Sequence, residues 1–426
     1  MSYSTETTAA ATGLSVLEAQ ACILDQITPL ETEEIGLAEA LGRALAEDIR
    51  ANRDLPPQDV SAMDGYAVRA ACLASEMPKT LQVIADIKAG NTPRLALQPG
   101  QCARIMTGAP LPPGADAVVR VEDTRPLAND QVEFSIPVKP ATDVRFRGEN
   151  MRVGDVVLRA GKEITPAVIG ALATVKQAKV KVIRKPRVAI LSNGDELEAL
   201  EEPLNPDKIP ESNSYALMAQ TQTLGIEPVL LGIARDTPEE LSDFLRRGLE
   251  YDVLLISGGT SVGVHDHVRP ALAALGVTLH FWRVQMRPGH PLAFGTLGRT
   301  LVFCLPGNPV SGMVCFEQCV LPALRCLMGH QRLFRCTIPV RVTQAVKSKP
   351  GRAEFVRAIL SRDAAGEYVA TPVASQSSGN LLSMTRADAL LVVPAGRDGL
   401  AADEIAEAAL LEAALWQDVS VLQKKV

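Results

Sequence analysis

A chain of 426 residues is longer than one ordinary hydrophobic core serves, so two to four domains are expected. Hydrophobic residues at 47% and charged residues at 22% give the balance of a soluble globular protein, and a formal charge of −6 argues against nucleic acid or an anionic membrane as partner. The eight cysteines show no CxxC spacing; even Cys315 and Cys319, one helical turn apart, read as buried free thiols rather than a metal pair, which favours the cytoplasm.

Residues 1–13 have no basic start and no long apolar core, so they read as a disordered lead-in and not as a signal peptide. No run approaches the roughly 20 apolar residues of a membrane span. Ser15 and Glu18 have the spacing of a capping box, and Leu17, Ala21, Leu24 and Ile27 continue it as a helix. A second amphipathic stretch covers 37–49. Between 55 and 147, short apolar runs (81–85, 103–106, 117–121 and 131–136) alternate with Pro, Gly and Asp turns, the texture of a β-rich region. Residues 155–158 and the turn at 159–161 read as a hairpin, and Thr165 followed by Pro166 starts a helix through Val175. The expected division is a discontinuous N-terminal domain (14–51 with 148–184) interrupted by a β-rich insertion (52–147).

From 188 onward strand-like runs (188–191, 228–232, 253–256, 277–282 and 301–305) alternate with helical ones (215–224, 238–249, 267–275 and 310–328). That alternation predicts a central α/β domain, 185–330, with a mostly parallel, doubly wound sheet. Pro322 is expected to kink the last helix. After Met328, short strands at 337–343, 354–360, 368–373 and 389–393 predict a separate small β domain over 331–426, while 403–415 favours helix by propensity.

Ligands bind outside the carboxyl ends of strands in such sheets. The third run ends in Ser257-Gly-Gly259 and continues through Gly263 to Asp266, a glycine loop between strand and helix whose free backbone N–H groups suit an anion. Glu196 follows the first strand and Asp236 the second, while Arg283 and Arg287 flank a turn before the last. Three carboxylates (Glu196, Asp236 and Asp266) suit Mg²⁺, and arginines with loop amides suit phosphate. Magnesium-dependent chemistry at a phosphate follows as a class. Taken singly, each acid reads as a helix cap or a solvated charge. No P-loop and no Rossmann fingerprint occurs. Gly259-Thr-Ser261-Val-Gly263 does match GxSxG, so an esterase with Ser261 as nucleophile is the alternative; its later histidines, His280, His290 and His330, are poorly placed in sequence. Asp64-Gly65 and Thr107-Gly108 read as polar turns.

Taken together, SAMDGYAVR (61–69), RIMTGAPLPPGADAVV (104–119), SNGDEL (192–197), SGGTSVGVHD (257–266), FWRVQMRPGHPLAFG (281–295) and LPGNPVSG (305–312) resemble the MoeA family of molybdopterin molybdenumtransferases, to which the gephyrin E domain is related. The resemblance implies four domains, including a molybdopterin-adenylyltransferase-like α/β domain and a C-terminal small β-barrel with strands after Leu400. It implies a homodimer whose active site is shared between subunits, and conversion of adenylyl-molybdopterin plus molybdate to Mo-molybdopterin plus AMP with Mg²⁺. The molybdopterin adenylyltransferase is a further implied partner. By position it makes Asp64, Thr107, Glu196, Asp236 and Asp266 catalytic, the last three as metal ligands. It assigns substrate contacts to Asn213, Ser257, Gly258, Gly259, Ser261, Gly263, Arg283, Arg287, Pro306, Asn308 and Pro309. Two positions depart from the family pattern: Asn150 stands for an aspartate and His290 for a lysine, which leaves room for a paralogue preferring another oxyanion such as tungstate. A non-catalytic scaffold of the gephyrin kind is the third reading.

Overall fold

The computed structural model describes residues 11–75, 77–259 and 267–411. They fall into two compact units, one drawn from the described residues of 11–46, 161–164, 181–259 and 267–411, the other from those of 47–75, 77–160 and 165–180.

The first unit is built on a seven-stranded sheet: β1 (Ala11–Leu14), β2 (Val188–Asn193), β3 (Val229–Ala234), β4 (Val253–Ser257), β5 (Thr278–Val284), β6 (Ala293–Leu297) and β7 (Thr300–Leu305), in the order β1-β5-β6-β7-β4-β2-β3. The pairs β2–β3, β2–β4, β4–β7 and β1–β5 are parallel, and β6 is antiparallel to both its neighbours. The central strands are mainly apolar because both faces are covered, with polar Ser192, Asn193 and Ser257 at their carboxyl ends. Ile190, Leu255 and Phe303 point into one core with Ile23, Leu217 and Leu324; Leu191, Leu254 and Val302 point into the other with Leu245 and Leu272. The doubly wound expectation holds, with helices α1 (Val16–Asp25) and α3 (Asn213–Gln222) on the first face and α4 (Pro238–Gly248) and α5 (Val268–Ala274) on the second; α2 (Pro166–Thr174) belongs to the other unit. Ser15 and Glu18 form the expected capping box.

Three expectations need correction here. Residues 11–13 are not a lead-in: they are part of edge strand β1, whose Ala11 lies opposite Phe281. The stretch 37–49 is not a helix beyond one turn at Leu37–Glu39. Gly42 turns at φ +74°, and the backbone beyond it pairs with distant chain, Leu45 N–H donating to Lys162 O and Ala46 N–H to Lys181 O. Long-range pairing overrides the helical spacing there. The run 309–327, finally, is long and apolar enough to pass for a membrane span, with mean hydropathy 1.3, yet 78% of that window is buried inside the protein. It is a core helix.

Pro322 does not simply kink that helix. Between α6 (Pro309–Cys315) and α7 (Leu321–Leu327) the chain makes a π-helical stretch, Phe316–Val320. The proline lacks an N–H for the carbonyl four residues back, Gln318, and the side-chain amide of Gln20 on α1 donates to that oxygen at 2.8 Å.

The C-terminal strands close into a small barrel: Ala353–Arg362, Tyr368–Pro372, Thr337–Val342, Ile405–Leu410 and Ala389–Val393 pair in turn, and the last returns to the first. Ile405–Leu410 is strand despite its Ala/Glu/Leu composition, as the resemblance implied.

In the second unit a six-stranded sheet orders Ala117–Arg120, Gly65–Val68, Gln101–Ile105, Lys79–Ile87, Gln131–Phe134 and Thr124–Pro126. Val156–Leu158 does not form a hairpin with the chain after its turn; it pairs with Ile49–Arg50. Thr165 caps α2 with Pro166 at its first position, as expected.

Candidate functional site

The carboxyl ends of β2, β4 and β7 open into a cavity of about 990 Å³. Its polar wall carries Glu196, Asn213, Arg283, His290 and Asn308; glycines 258, 259 and 307 and prolines 306 and 309 form its loops. The two glycines after β4 are required by close approach. A Cβ at Gly258, where φ is +94°, would lie 2.3 Å from Asn193 O, and one at Gly259 would lie 2.3 Å from Val268 Cγ2. The loop backbone is thereby drawn down onto β2.

The corner is laced by side chains. Asn213, the first residue of α3, donates from Nδ2 to Ser257 Oγ at 2.9 Å and to Gly307 O at 2.7 Å, joining the ends of β4 and β7. Two residues earlier the buried Glu211 carboxylate accepts from Ser192 Oγ at 2.9 Å, from Ser214 N–H at 2.8 Å and from the Ser214 hydroxyl. Asn308 Nδ2 donates to Ser378 Oγ at 3.1 Å and Val310 N–H to Ser378 O, so the loop carrying Gly379 and Leu381 completes the cavity wall. Arg283 is a non-glycine residue at φ +68°, with its N–H on Leu292 O at 2.9 Å; such a conformation is costly and recurs at functional positions. His290 Nδ1 lies 2.7 Å from Val284 O, a carbonyl that can only accept, so Nδ1 carries the proton.

Of the three carboxylates expected to converge, Glu196 is exposed on the cavity wall, whereas Asp236 is not among the lining residues. Asp236 Oδ1 accepts from Asn193 Nδ2 at 2.6 Å and its N–H donates to Asp195 Oδ1 at 3.1 Å. Asp266, with Ser261 and Gly263, lies outside the described residues. Among the described residues no three His, Cys, Asp or Glu side chains come together to hold a metal ion. Arg287 also stands apart from the cavity lining, 3.6 Å from Glu354.

Asp64 and Thr107 belong to the second unit, where they meet: Asp64 Oδ1 accepts from Thr107 N–H at 2.7 Å and from Thr107 Oγ1 at 2.8 Å. The backbone N–H and then the hydroxyl of Thr107 hold the Asp64 carboxyl below its usual range. Both residues are exposed. Asn150 Oδ1 accepts from Arg145 at 3.2 Å. The histidines considered as partners for Ser261 have other partners: His280 Nε2 is 2.8 Å from Thr296 Oγ1 with its ring stacked on Phe294, and His330 is buried against Glu163.

Glu211, the apolar rim of Leu197, Ile209 and Pro210, and the 379–381 loop have no counterpart among the sequence-based expectations. For Glu211 a signal exists, an acid just ahead of a helix N-terminus; nothing in the spacing marks Ser378 as a neighbour of Asn308.

The chain matches three family profiles in order: the MoeA N-terminal region (domain I and II) over 14–175, a probable molybdopterin binding domain over 189–326, and the MoeA C-terminal region (domain IV) over 339–411. It is 40% identical over 375 residues to a molybdopterin molybdenumtransferase of Nostoc sp., covering 86% of each chain. The chain belongs to the MoeA family. A second molybdopterin molybdenumtransferase, from Haemophilus influenzae, is 33% identical across 92% of this chain and 97% of that one. Among solved structures, the molybdopterin biosynthesis MoeA protein of Pyrococcus horikoshii OT3 superposes with a TM-score of 0.82 at 31% identity, covering 94% of this chain and all of that one. The cavity lies within the segment matched by the molybdopterin-binding profile, apart from its Gly379–Leu381 edge, which falls in the MoeA C-terminal match.

Proposed function

We propose that this chain is a transferase of molybdenum cofactor biosynthesis, acting as a molybdenum insertase on adenylyl-molybdopterin and molybdate and releasing Mo-molybdopterin and AMP. The observation that carries the reading is the cavity at the ends of β2, β4 and β7, where a glycine loop pressed onto the sheet faces Arg283, His290 and Glu196. The named relatives support the transferase class.

In this reading the 257–259 loop cradles the nucleotide or pterin phosphate, Asn213 makes a further substrate contact, and Arg283 and His290 face the oxyanion. Pro306, Asn308 and Pro309 shape the opposing wall. Glu196 is the cavity carboxylate that would hold a magnesium ion together with the substrate phosphates, an ion that commonly needs only one or two protein carboxylates and that would polarise the phosphoanhydride. Arg287 and Asp236 act from outside the cavity lining, Asp236 by holding Asn193 beneath the glycine loop. Asp64 and Thr107 are presented by the partner subunit of a homodimer. The reading includes a cytoplasmic location, the adenylyltransferase as upstream partner, and the division into 14–51 with 148–184, 52–147, 185–330 and 331–426.

The experiment is to mix purified protein with adenylyl-molybdopterin, Mg²⁺ and molybdate and to follow AMP. Molybdate-dependent release is expected, with tungstate run in parallel to read the oxyanion preference. Absence of molybdate-dependent AMP removes the insertase reading, and unchanged cofactor-dependent growth in a complementation test with Glu196→Ala favours a scaffold.

A further inference from the structure

Asn213 has two hydrogens on its side-chain nitrogen, and both have partners in the protein. One goes to Gly307 O, a carbonyl that can only accept, so the amide cannot be turned the other way round; the other goes to Ser257 Oγ. The side chain lines the cavity and is only half-buried, so what it has left to offer a ligand is Oδ1, an acceptor. An acceptor repels a phosphate oxygen and binds an O–H or N–H. The loop amides and Arg283 are the anion-binding groups of this cavity; Asn213 is of opposite character.

We propose that Asn213 is a specificity-determining residue that reads a hydrogen-bond donor of the substrate, a hydroxyl or an N–H of the nucleotide or the pterin, and not its phosphates, and that Glu211 is the positioning residue that sets it. Glu211 ties Ser192 at the end of β2 to Ser214 on α3 through three hydrogen bonds, and no ion pair among the described residues neutralises its buried carboxylate. A buried carboxylate held only by donors loses much of its support if one of its two acceptor oxygens is replaced by a donor, as in Glu211→Gln. The start of α3 then shifts, and with it Asn213. This inference rests on the proposed function, since it assumes an adenylylated pterin in this cavity.

The test is titration calorimetry of the full chain with three probes: AMP, 6-hydroxymethylpterin and pyrophosphate. Asn213→Ala is expected to weaken AMP or the pterin about tenfold, one neutral hydrogen bond, and to leave pyrophosphate unchanged. Whichever organic probe responds identifies the source of the donor, and 2′-deoxy-AMP, 3′-deoxy-AMP and IMP then locate it on the nucleotide. Glu211→Gln is expected to repeat the selective loss. Ser192→Ala is the milder version should that variant fold poorly, and the ratio of AMP or pterin affinity to pyrophosphate affinity is a readout that general loosening does not move. Equal weakening of all three probes by Asn213→Ala, or of none, overturns the inference while leaving the insertase reading in place. Failure of the unaltered protein to bind AMP or the pterin overturns both.

Discussion

The two units treat polar side chains in opposite ways. Among the described residues the buried polar and charged side chains all belong to the α/β-and-barrel unit except Ser61, which is in the β-rich one. In the first unit, Gln20, Asn193, Glu211 and Ser257 are sunk in the fold and join separate segments by hydrogen bonds, and His330 is buried beside Glu163. In the second, the corresponding work at the Asp64–Thr107 turn is done at the surface, by groups that water also solvates. The difference matters because a buried acceptor left without its donor costs far more than an exposed one. Substitutions of buried polar groups should therefore cost stability in the first unit, and activity as well where the group lies at the cavity, whereas substitution at Asp64 should act mainly on activity.

The largest effect expected tests the proposed division of labour between these corners. Asp64→Ala and Glu196→Ala should each lower AMP release by about 10²-fold or more, the scale of losing a group that acts in the transition state. Mixed and reassociated, the two variants should recover a fraction of activity, because every heterodimer carries one site with both native residues. If mixing recovers nothing, Asp64 does not act across a subunit boundary. The melting temperature of Asp64→Ala should stay within a few degrees of the native value. Its pH behaviour has a definite sign. The Asp64 carboxyl is held below its usual range by Thr107, so its small stabilising contribution is present above the ordinary carboxylate range and lost as pH falls through the lowered value.

Next come the glycines, where the units should behave alike. Gly258→Ala places a Cβ 2.3 Å from Asn193 O at a φ of +94°, and Gly65→Ala places one 2.0 Å from Val119 O without an unusual φ. Each should lose about 2–4 kcal/mol in denaturant unfolding, because backbone atoms have to move. A native-like Gly65→Ala would show that the β-rich sheet yields where the α/β corner does not.

Legibility in the sequence divides along the same line. The runs that form β2, β4 and β7 stand out because a strand covered on both faces is apolar throughout, and Gly258 and Gly259 because the turn after such a strand needs them. Glu196 and Arg283 are legible from their places at strand ends, and Asn213 through the family resemblance alone. Asp236 also stands just past a strand, yet it faces Asn193 rather than the cavity, since strand-end position fixes the neighbourhood of a side chain and not its direction. The helical spacing of 37–49 misleads because its polar face is answered by distant strands, Arg43 reaching Ile183 O at 2.7 Å. Edge strand β1 has too few residues for a pattern, and it exists through pairing with β5.

A weaker effect, through pH, probes the buried polar groups themselves. Burial first, then the neighbouring Arg325, push His330 down to about 4, while Glu163, whose Oε2 lies 3.4 Å from its Nδ1, opposes the shift. Arg43 also disfavours the charged ring. The unfolded chain takes up a proton on this histidine near 6.5 and the folded chain does not until about 4. Stability is therefore complete above about 6.5 and falls as pH drops from there towards 4. Denaturant midpoints measured across that window should decline, and less so in His330→Gln. Equal slopes would mean that the ring is protonated in the folded chain.

The smallest effect isolates a single buried donor. Gln20 Nε2 is 2.8 Å from Gln318 O, which Pro322 leaves without its helical partner, and the pair spans 298 positions of sequence. Gln20→Ala removes the donor and leaves the carbonyl in a helix whose surroundings, Ala19, Phe316 and Leu321, are apolar and buried. A loss of about 1 kcal/mol is expected, with AMP release unaltered, since Gln20 is not among the residues that line the cavity. Glu18→Ala on the same helix is the control: it removes an exposed capping contact to Ser15 N–H, and its effect on the unfolding midpoint should be smaller than that of Gln20→Ala. The reverse ranking would mean that burial is not what gives a polar contact its weight in this unit, and the contrast between the two halves of the molecule would have to rest on topology instead.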